Sequence, residues 1–244
     1  MKVDNLETNF LDEGEGQVVL LLHGWGGTSL SVLGLANDLS SRFRIIAPDL
    51  WGFGKSEMPS SNYNVTEYAR SVKHLLNELN IEKCCVVGHS FGGRIAIALC
   101  AMFPEVVDSL VLIDSAGIKP KFSLNRYFKI RRYKKLKKKV DQGILPNYVL
   151  DKFGSVDYQQ LVPEFRQVFV NVVNEDLTNY ISKINKKTLI LWGKHDKDTP
   201  PYMAKVLHKR LKCSKLSWLE GGHFAYLTKQ AECLKFIYEF LEVE

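Results

Sequence analysis

Gly88-His89-Ser90-Phe91-Gly92-Gly93 lies between an apolar run at 83–87 and a stretch of helical period rich in small residues, 91–102. A G-x-S-x-G pattern in a strand–turn–helix setting is the signature of a serine nucleophile held on a sharp, strained turn. The residues two before and two after the serine must lack a Cβ there. A serine hydroxyl attacks poorly without a base. The closing part of the chain offers one in Glu220-Gly221-Gly222-His223-Phe224, where two glycines let the loop carrying His223 reach inward. His74, His195 and His208 lack such a setting and read as structural or surface residues. A carboxylate must then orient the imidazole and stabilise its charged form. Asp196, in Gly193-Lys194-His195-Asp196-Lys197-Asp198-Thr199-Pro200, is the favoured partner. Asp198 is the nearest rival acid, though its Asp-Thr-Pro setting suits a cap for the helix that follows, and Asp114, at the end of another apolar run, is the other candidate.

Attack on a carbonyl creates an oxyanion that needs two donors, and losing one typically costs about 10²–10³ in rate. The Phe91 amide follows the nucleophile directly. The second donor is expected from Leu22-His23-Gly24-Trp25-Gly26-Gly27, where the glycines free the backbone to turn the Trp25 N–H inward and His23 braces the loop. The Trp25 ring is a candidate wall of the substrate pocket, with Phe91, Phe122 and Phe224 as further apolar lining. A phosphate cradle is the competing reading of these glycines, but neither G-x-G-x-x-G nor a Walker lysine accompanies them. No cofactor motif and no histidine–cysteine–carboxylate set at metal-ligand spacing is seen.

These residues need a frame that brings them to one edge. From Gln17 onward, apolar runs alternate with amphipathic stretches. Strands are expected at 17–22, 44–47, 83–87, 107–113, 188–192 and 215–218, and helices at 30–39, 65–79, 91–102, 201–211 and 225–241. Strict alternation means βαβ units and a mostly parallel sheet covered on both faces. Ligands of such sheets sit at the carboxyl ends of the strands, where Trp25, Ser90, Asp114, Asp196 and His223 all fall. Residues 117–187 break the rhythm and read as a helical insertion over that edge.

The 244 residues, 45% hydrophobic and 25% charged, exclude a disordered chain and suffice for a core without disulfide or metal support. No apolar run approaches a membrane span, and the first residues lack the apolar stretch of a signal peptide. Five cysteines with no CxxC spacing read as reduced thiols, which points to the cytoplasm. The net charge of +6 is unevenly placed: residues 117–187 hold 16 basic and 6 acidic side chains, against 17 and 21 elsewhere. Nine cations and no acid lie between Arg126 and Lys139, with Tyr127, Ile130, Tyr133, Leu136 and Val140 near helical spacing, so a basic amphipathic helix is expected. Nucleic-acid binding is disfavoured, because the charge is confined to one segment without a recognition motif.

With Ser90, Asp196 and His223 in that chain order, the sequence resembles the α/β-hydrolase superfamily. The resemblance runs through Leu21–Gly26, Asp49-Leu-Trp-Gly-Phe-Gly-Lys-Ser56, Gly88–Gly93, Trp192–Asp196 and Gly221–Phe224. It implies an eight-stranded, mostly parallel sheet with helices on both faces and a helical lid at 117–187 on a core of 1–116 and 188–244. It also supports Trp25 and Phe91 as oxyanion donors. Haloalkane dehalogenases and epoxide hydrolases of this superfamily carry aspartate at the elbow; Ser90 instead fits acyl transfer. The nearest subgroups in pattern are small carboxylesterases and meta-cleavage-product hydrolases.

The leading expectation is a serine esterase acting through an acyl-enzyme on a small, largely apolar acyl substrate. Carbon–carbon hydrolysis, a slow-turnover signalling hydrolase, and an esterase or thioesterase whose basic lid meets an acidic carrier protein or an anionic surface are the competing readings. The last rests on the charge of 126–139, for which a solvated lysine-rich face is the plainer reading.

Overall fold

A computed structural model describes residues 1–121, 123–150 and 152–242. Nine strands are found among them: β1 (Lys2–Val3), β2 (Leu6–Glu7), β3 (Phe10–Glu13), β4 (Val18–Leu22), β5 (Arg44–Pro48), β6 (Cys84–His89), β7 (Val107–Ile113), β8 (Thr188–Gly193) and β9 (Ser214–Leu219). Seven of them form one sheet in the order β3-β5-β4-β6-β7-β8-β9, parallel throughout except for the antiparallel β3–β5 edge pair. The expectation of eight strands is corrected here. At the N-terminus Asp4 and Asn5 both adopt positive φ, 53° and 66°, and Val3 pairs with Leu6 across them. That two-residue turn folds β1 onto β2, so these residues pair with each other instead of extending the sheet.

The helices are α1 (Leu33–Leu39), α2 (Val65–Glu78), α3 (Phe91–Met102), α4 (Leu124–Asp141), α5 (Val156–Gln160), α6 (Pro163–Asn174), α7 (Thr178–Ile181), α8 (Tyr202–Arg210), α9 (Ala225–Thr228) and α10 (Gln230–Leu241). The expected closing helix is two helices, broken at Lys229, which leaves the helical region (φ −125°, ψ 41°). Because side chains alternate across a strand, Leu20, Leu22, Val86, Leu110 and Leu112 join one core with α2, α3 and α8. Val19, Leu21, Cys85, Val87, Val111 and Ile113 join the other with α1 and α10. Both faces are therefore covered, and all of β6 is buried at the centre.

Between β7 and β8 the described residues hold helices and no strand. α6 lies against the core through Phe165, Val168 and Val172. Glu175 after it accepts from the Val65 N–H (2.7 Å) and the Thr66 hydroxyl (2.5 Å), capping α2, and its carbonyl accepts from Arg94 Nη2 (2.6 Å) on α3. The expected amphipathic stripe on α4 is only partly formed. Tyr133, Leu136 and Val140 are half-buried, whereas Tyr127 and Ile130 are 48% and 45% exposed. Steps of three residues fall about 60° behind the helical repeat each time, so a stripe at that spacing winds off the buried side.

All five cysteines are unpaired, and four of them are buried. Among the described residues no helix is long and apolar enough to cross a membrane.

Candidate active site

Ser90 sits between β6 and α3 with φ 51° and ψ −108°, a backbone conformation costing about 1–3 kcal/mol for a residue with a side chain. It persists because the turn is held on both sides: the Ser90 N–H donates to the Ile113 carbonyl, and the Ser90 carbonyl accepts from the Ala116 N–H, both at 3.0 Å. The flanking glycines have a steric reason. A Cβ on Gly88 would lie 2.6 Å from the Gly92 carbonyl oxygen, and one on Gly92 would lie 2.1 Å from the Leu22 carbonyl oxygen.

His223 and Asp196 arrive at the same edge from the loops after β9 and β8. His223 Nε2 lies 2.9 Å from Ser90 Oγ, and His223 Nδ1 lies 2.8 Å from Asp196 Oδ2. A carboxylate only accepts, so Nδ1 carries the proton and Nε2 presents its lone pair to the Ser90 hydroxyl. Asp196 is 3% exposed. Its Oδ1 accepts from the Asp198 and Thr199 N–H groups (2.8 and 2.9 Å), and Oδ2 accepts from the Thr199 hydroxyl (2.6 Å). Burial alone would raise the Asp196 pKa, but the bonds from His223 and Thr199 outweigh it and the group stays below its ordinary value. This geometry corrects the reading of Asp198 as a helix cap. α8 begins after Pro201 with no side-chain cap, and the Asp198 and Thr199 amides instead close a turn on Asp196.

Asp114 does reach this edge, yet in another state. It is fully buried, and its Oδ1 accepts from the Gly193 N–H (2.7 Å). Burial, with the Asp196 charge nearby, pushes its pKa up to about 8. A neutral carboxyl cannot stabilise an imidazolium as an ionised one does, and of the two aspartates it is Asp196 that contacts His223.

The loop after β4 comes within touching distance of the elbow: a Cβ on Gly24 would lie 3.4 Å from Ser90 Cβ. His23 braces it as expected, accepting from the Leu50 N–H at Nε2 (2.9 Å) and donating from Nδ1 to the Gly24 carbonyl (2.8 Å). Burial lowers the His23 pKa to about 4, so it stays neutral in this role. Phe91 leads α3, where first-turn amides have no partner within the helix. Neither its N–H nor that of Trp25 donates a backbone hydrogen bond among the described residues.

The Trp25 ring is clamped between Phe53 and Phe91 on one side and α6 on the other. It stacks on Phe165 of α6 (5.2 Å, 17°) and meets Phe53, Phe91 and Phe169 edge-on at 4.9–5.1 Å. Its indole Nε1 is buried without a hydrogen-bond partner among the described residues. Phe224 is 55% exposed with its ring 5.3 Å from that of His223. Phe122 lies outside the described residues.

Sequence reasoning missed two supports. Thr199 reaches Asp196 and, at 3.3 Å, His223 Nδ1; a hydroxyl three residues after the acid was the available signal. His89, the variable residue of the elbow, donates from Nε2 to the His223 carbonyl (2.8 Å) and is held neutral by burial, with a pKa of about 3. Nothing in its spacing announced that contact. Asp196, Asp198 and His223 also offer three metal-ligand atoms within 4.8 Å of one another, but both imidazole nitrogens are already engaged.

A family model described as alpha/beta hydrolase fold matches residues 17–139, half of the chain. The chain belongs to this family. Three similar proteins place this α/β hydrolase among its relatives. An uncharacterised protein of Mycobacterium tuberculosis is 42% identical over 105 residues, 43% of this chain and 31% of that protein. The chain thus spans about a third of the length of the first curated relatives it matches. The 2-hydroxy-6-oxo-2,4-heptadienoate hydrolase of Pseudomonas putida is 26% identical, with 98% of this chain and 94% of that protein covered. A solved esterase from Exiguobacterium antarcticum superposes with a TM-score of 0.78 at 23% identity, covering 98% of this chain and 97% of the esterase, a likeness of fold.

Proposed function

We propose that this α/β hydrolase is a serine esterase acting on a small, largely apolar acyl substrate, with Ser90 as nucleophile, His223 as base and Asp196 as the orienting acid. One observation carries the reading: the unbroken line Ser90 Oγ–His223 Nε2, His223 Nδ1–Asp196 Oδ2, at 2.9 and 2.8 Å. As Ser90 Oγ attacks the acyl carbon, its proton passes to His223 Nε2, and the imidazolium is stabilised by Asp196. The Trp25 and Phe91 amides receive the oxyanion. His223 then gives its proton to the departing alkoxide, leaving an acyl-enzyme, and afterwards takes a proton from the water that releases the acid.

The aromatic group Trp25, Phe53, Phe165 and Phe169 supports an apolar substrate, with Phe224 and Phe122 as further lining. Residues 117–187 serve as a lid on a core of 1–116 and 188–244. The unpaired thiols support a reducing, cytoplasmic setting. Hydrolysis of p-nitrophenyl acetate and butyrate tests the assignment: turnover is expected in the native protein and absent in Ser90→Ala, and turnover unchanged in that variant refutes it.

The nearly full-length likeness to the P. putida hydrolase favours a second reading, cleavage of a carbon–carbon bond in a dienone acid. Turnover of a 2-hydroxy-6-oxo-dienoate much faster than of any ester in a panel decides for it.

A further inference from the structure

Helix α4 turns one whole face to solvent. At 100° per residue, Leu124, Tyr127, Phe128, Arg131, Arg132, Lys134, Lys135, Lys138 and Lys139 share one side. All of them are exposed, with Leu124 at 63% and Phe128 at 59%. The six cations make no ion pair among the described residues, whereas Lys137, on the opposite side, pairs with Asp141 at 3.2 Å. The face therefore has an apolar, aromatic first turn followed by a cationic remainder. The opposite side holds the helix to its neighbours, for example Tyr133 against Phe153 at 5.5 Å.

We propose that this face docks on an anionic lipid bilayer, the cations meeting headgroups while Leu124 and Phe128 enter the interface. Charge complementarity argues for an anionic occupant. Six clustered cations attract anionic lipid strongly, and the rest of the chain, with 17 basic and 21 acidic residues outside 117–187, orients α4 toward the surface. The apolar first turn argues for lipid over a purely polar polyanion, because aromatic and aliphatic side chains beside cations mark interfacial helices. Directly beneath, Ile130, Tyr133, Phe153, Tyr158, Phe169 and Val170 line a cavity of about 570 Å³. Phe169 touches the Trp25 ring at 5.0 Å, so this apolar space lies between the docking helix and the loop after β4 that carries Trp25. An amphiphilic ester presented by the bilayer is the substrate class that this arrangement serves. That last step rests on the esterase reading, whereas the docking does not.

The test is co-sedimentation of the full chain with vesicles of phosphatidylcholine alone and of phosphatidylcholine mixed with phosphatidylglycerol. Binding is expected only to the anionic vesicles, reduced by added salt, and about tenfold or more weaker in a Lys134→Glu/Lys135→Glu/Lys138→Glu/Lys139→Glu variant whose p-nitrophenyl acetate turnover is retained. Leu124→Ser/Phe128→Ser should keep the salt-sensitive attraction but bind more weakly. Ser90→Ala should bind like the native protein, which separates failure of docking from failure of the esterase reading. No binding to anionic vesicles, or equal binding by the charge-reversed variant, overturns the proposal. Capture by polyglutamate without vesicle binding also overturns it, in favour of an acidic protein.

Discussion

Two aspartates at one sheet edge divide their labour through protonation. Asp196, given four donors, stays ionised; Asp114, buried with the Gly193 amide on Oδ1 and the Asp196 charge nearby, stays protonated near neutral pH. Asp196→Asn should lower kcat by about 10⁴, because the amide holds the imidazole in the wrong tautomer. Asp114→Asn should leave kcat nearly unchanged at neutral pH. Its signature belongs in stability. The folded pKa is raised from 3.8 to about 8, so the folded state keeps a proton that the unfolded state releases, and stability from this group is lost as pH rises from about 4 to 8. Urea midpoints of Asp114→Asn should therefore gain on the native protein across that range. A gap between the two that does not change with pH speaks against a neutral Asp114.

At the scale of elements, the site depends on α6 holding the loop after β4. Phe165 is 2% exposed, stacks on Trp25 and meets Phe53 at 5.3 Å. Phe165→Ala should cost about 3–5 kcal/mol of stability, as other buried phenylalanine truncations do, and should lower ester kcat more than it raises KM, because the Trp25 backbone loses its support. Circular-dichroism melts and steady-state kinetics on the same preparation measure both. The reason this link escaped the sequence is physical: Trp25 and Phe165 are joined only by the tertiary path, and neither stands in a local pattern. Ser90 was legible because a strained turn demands glycine at fixed offsets, and β4, β6, β7 and β8 because buried parallel strands are continuous apolar runs. The turn at Asp4-Asn5 was not, since two-residue strands carry too few residues to show alternation. On α4 the basic composition is legible, but steps of three residues fall short of the 3.6 repeat, so the spacing overstates the buried stripe.

For the whole molecule, buried neutral histidines set the acid limit. His23 and His89 have folded pKa values of about 4 and 3 against 6.5 when unfolded. Below pH 6.5 the unfolded state binds protons that the folded state refuses, so each histidine costs stability as pH falls toward 4. Asp114 gains over the same range, which leaves a net loss of about one proton's worth, or about 1.4 kcal/mol per pH unit. Above 6.5 Asp114 alone slopes downward toward pH 8. Stability measured by urea unfolding should thus peak near pH 6.5; a steady rise from pH 6.5 to 8 contradicts this assignment of charges.

The uneven charge acts at the same scale, with a basic segment on a slightly acidic remainder. The family relation and the sheet make this chain a hydrolase of the α/β fold, and the identity of the nucleophile is the claim on which the chemistry turns. Peptide mapping by mass spectrometry after brief exposure to p-nitrophenyl butyrate, quenched in acid, measures it directly. One butyryl group is expected on the peptide containing Ser90, and none after His223→Ala substitution. A label on any other residue, or none despite continuing ester turnover, contradicts it.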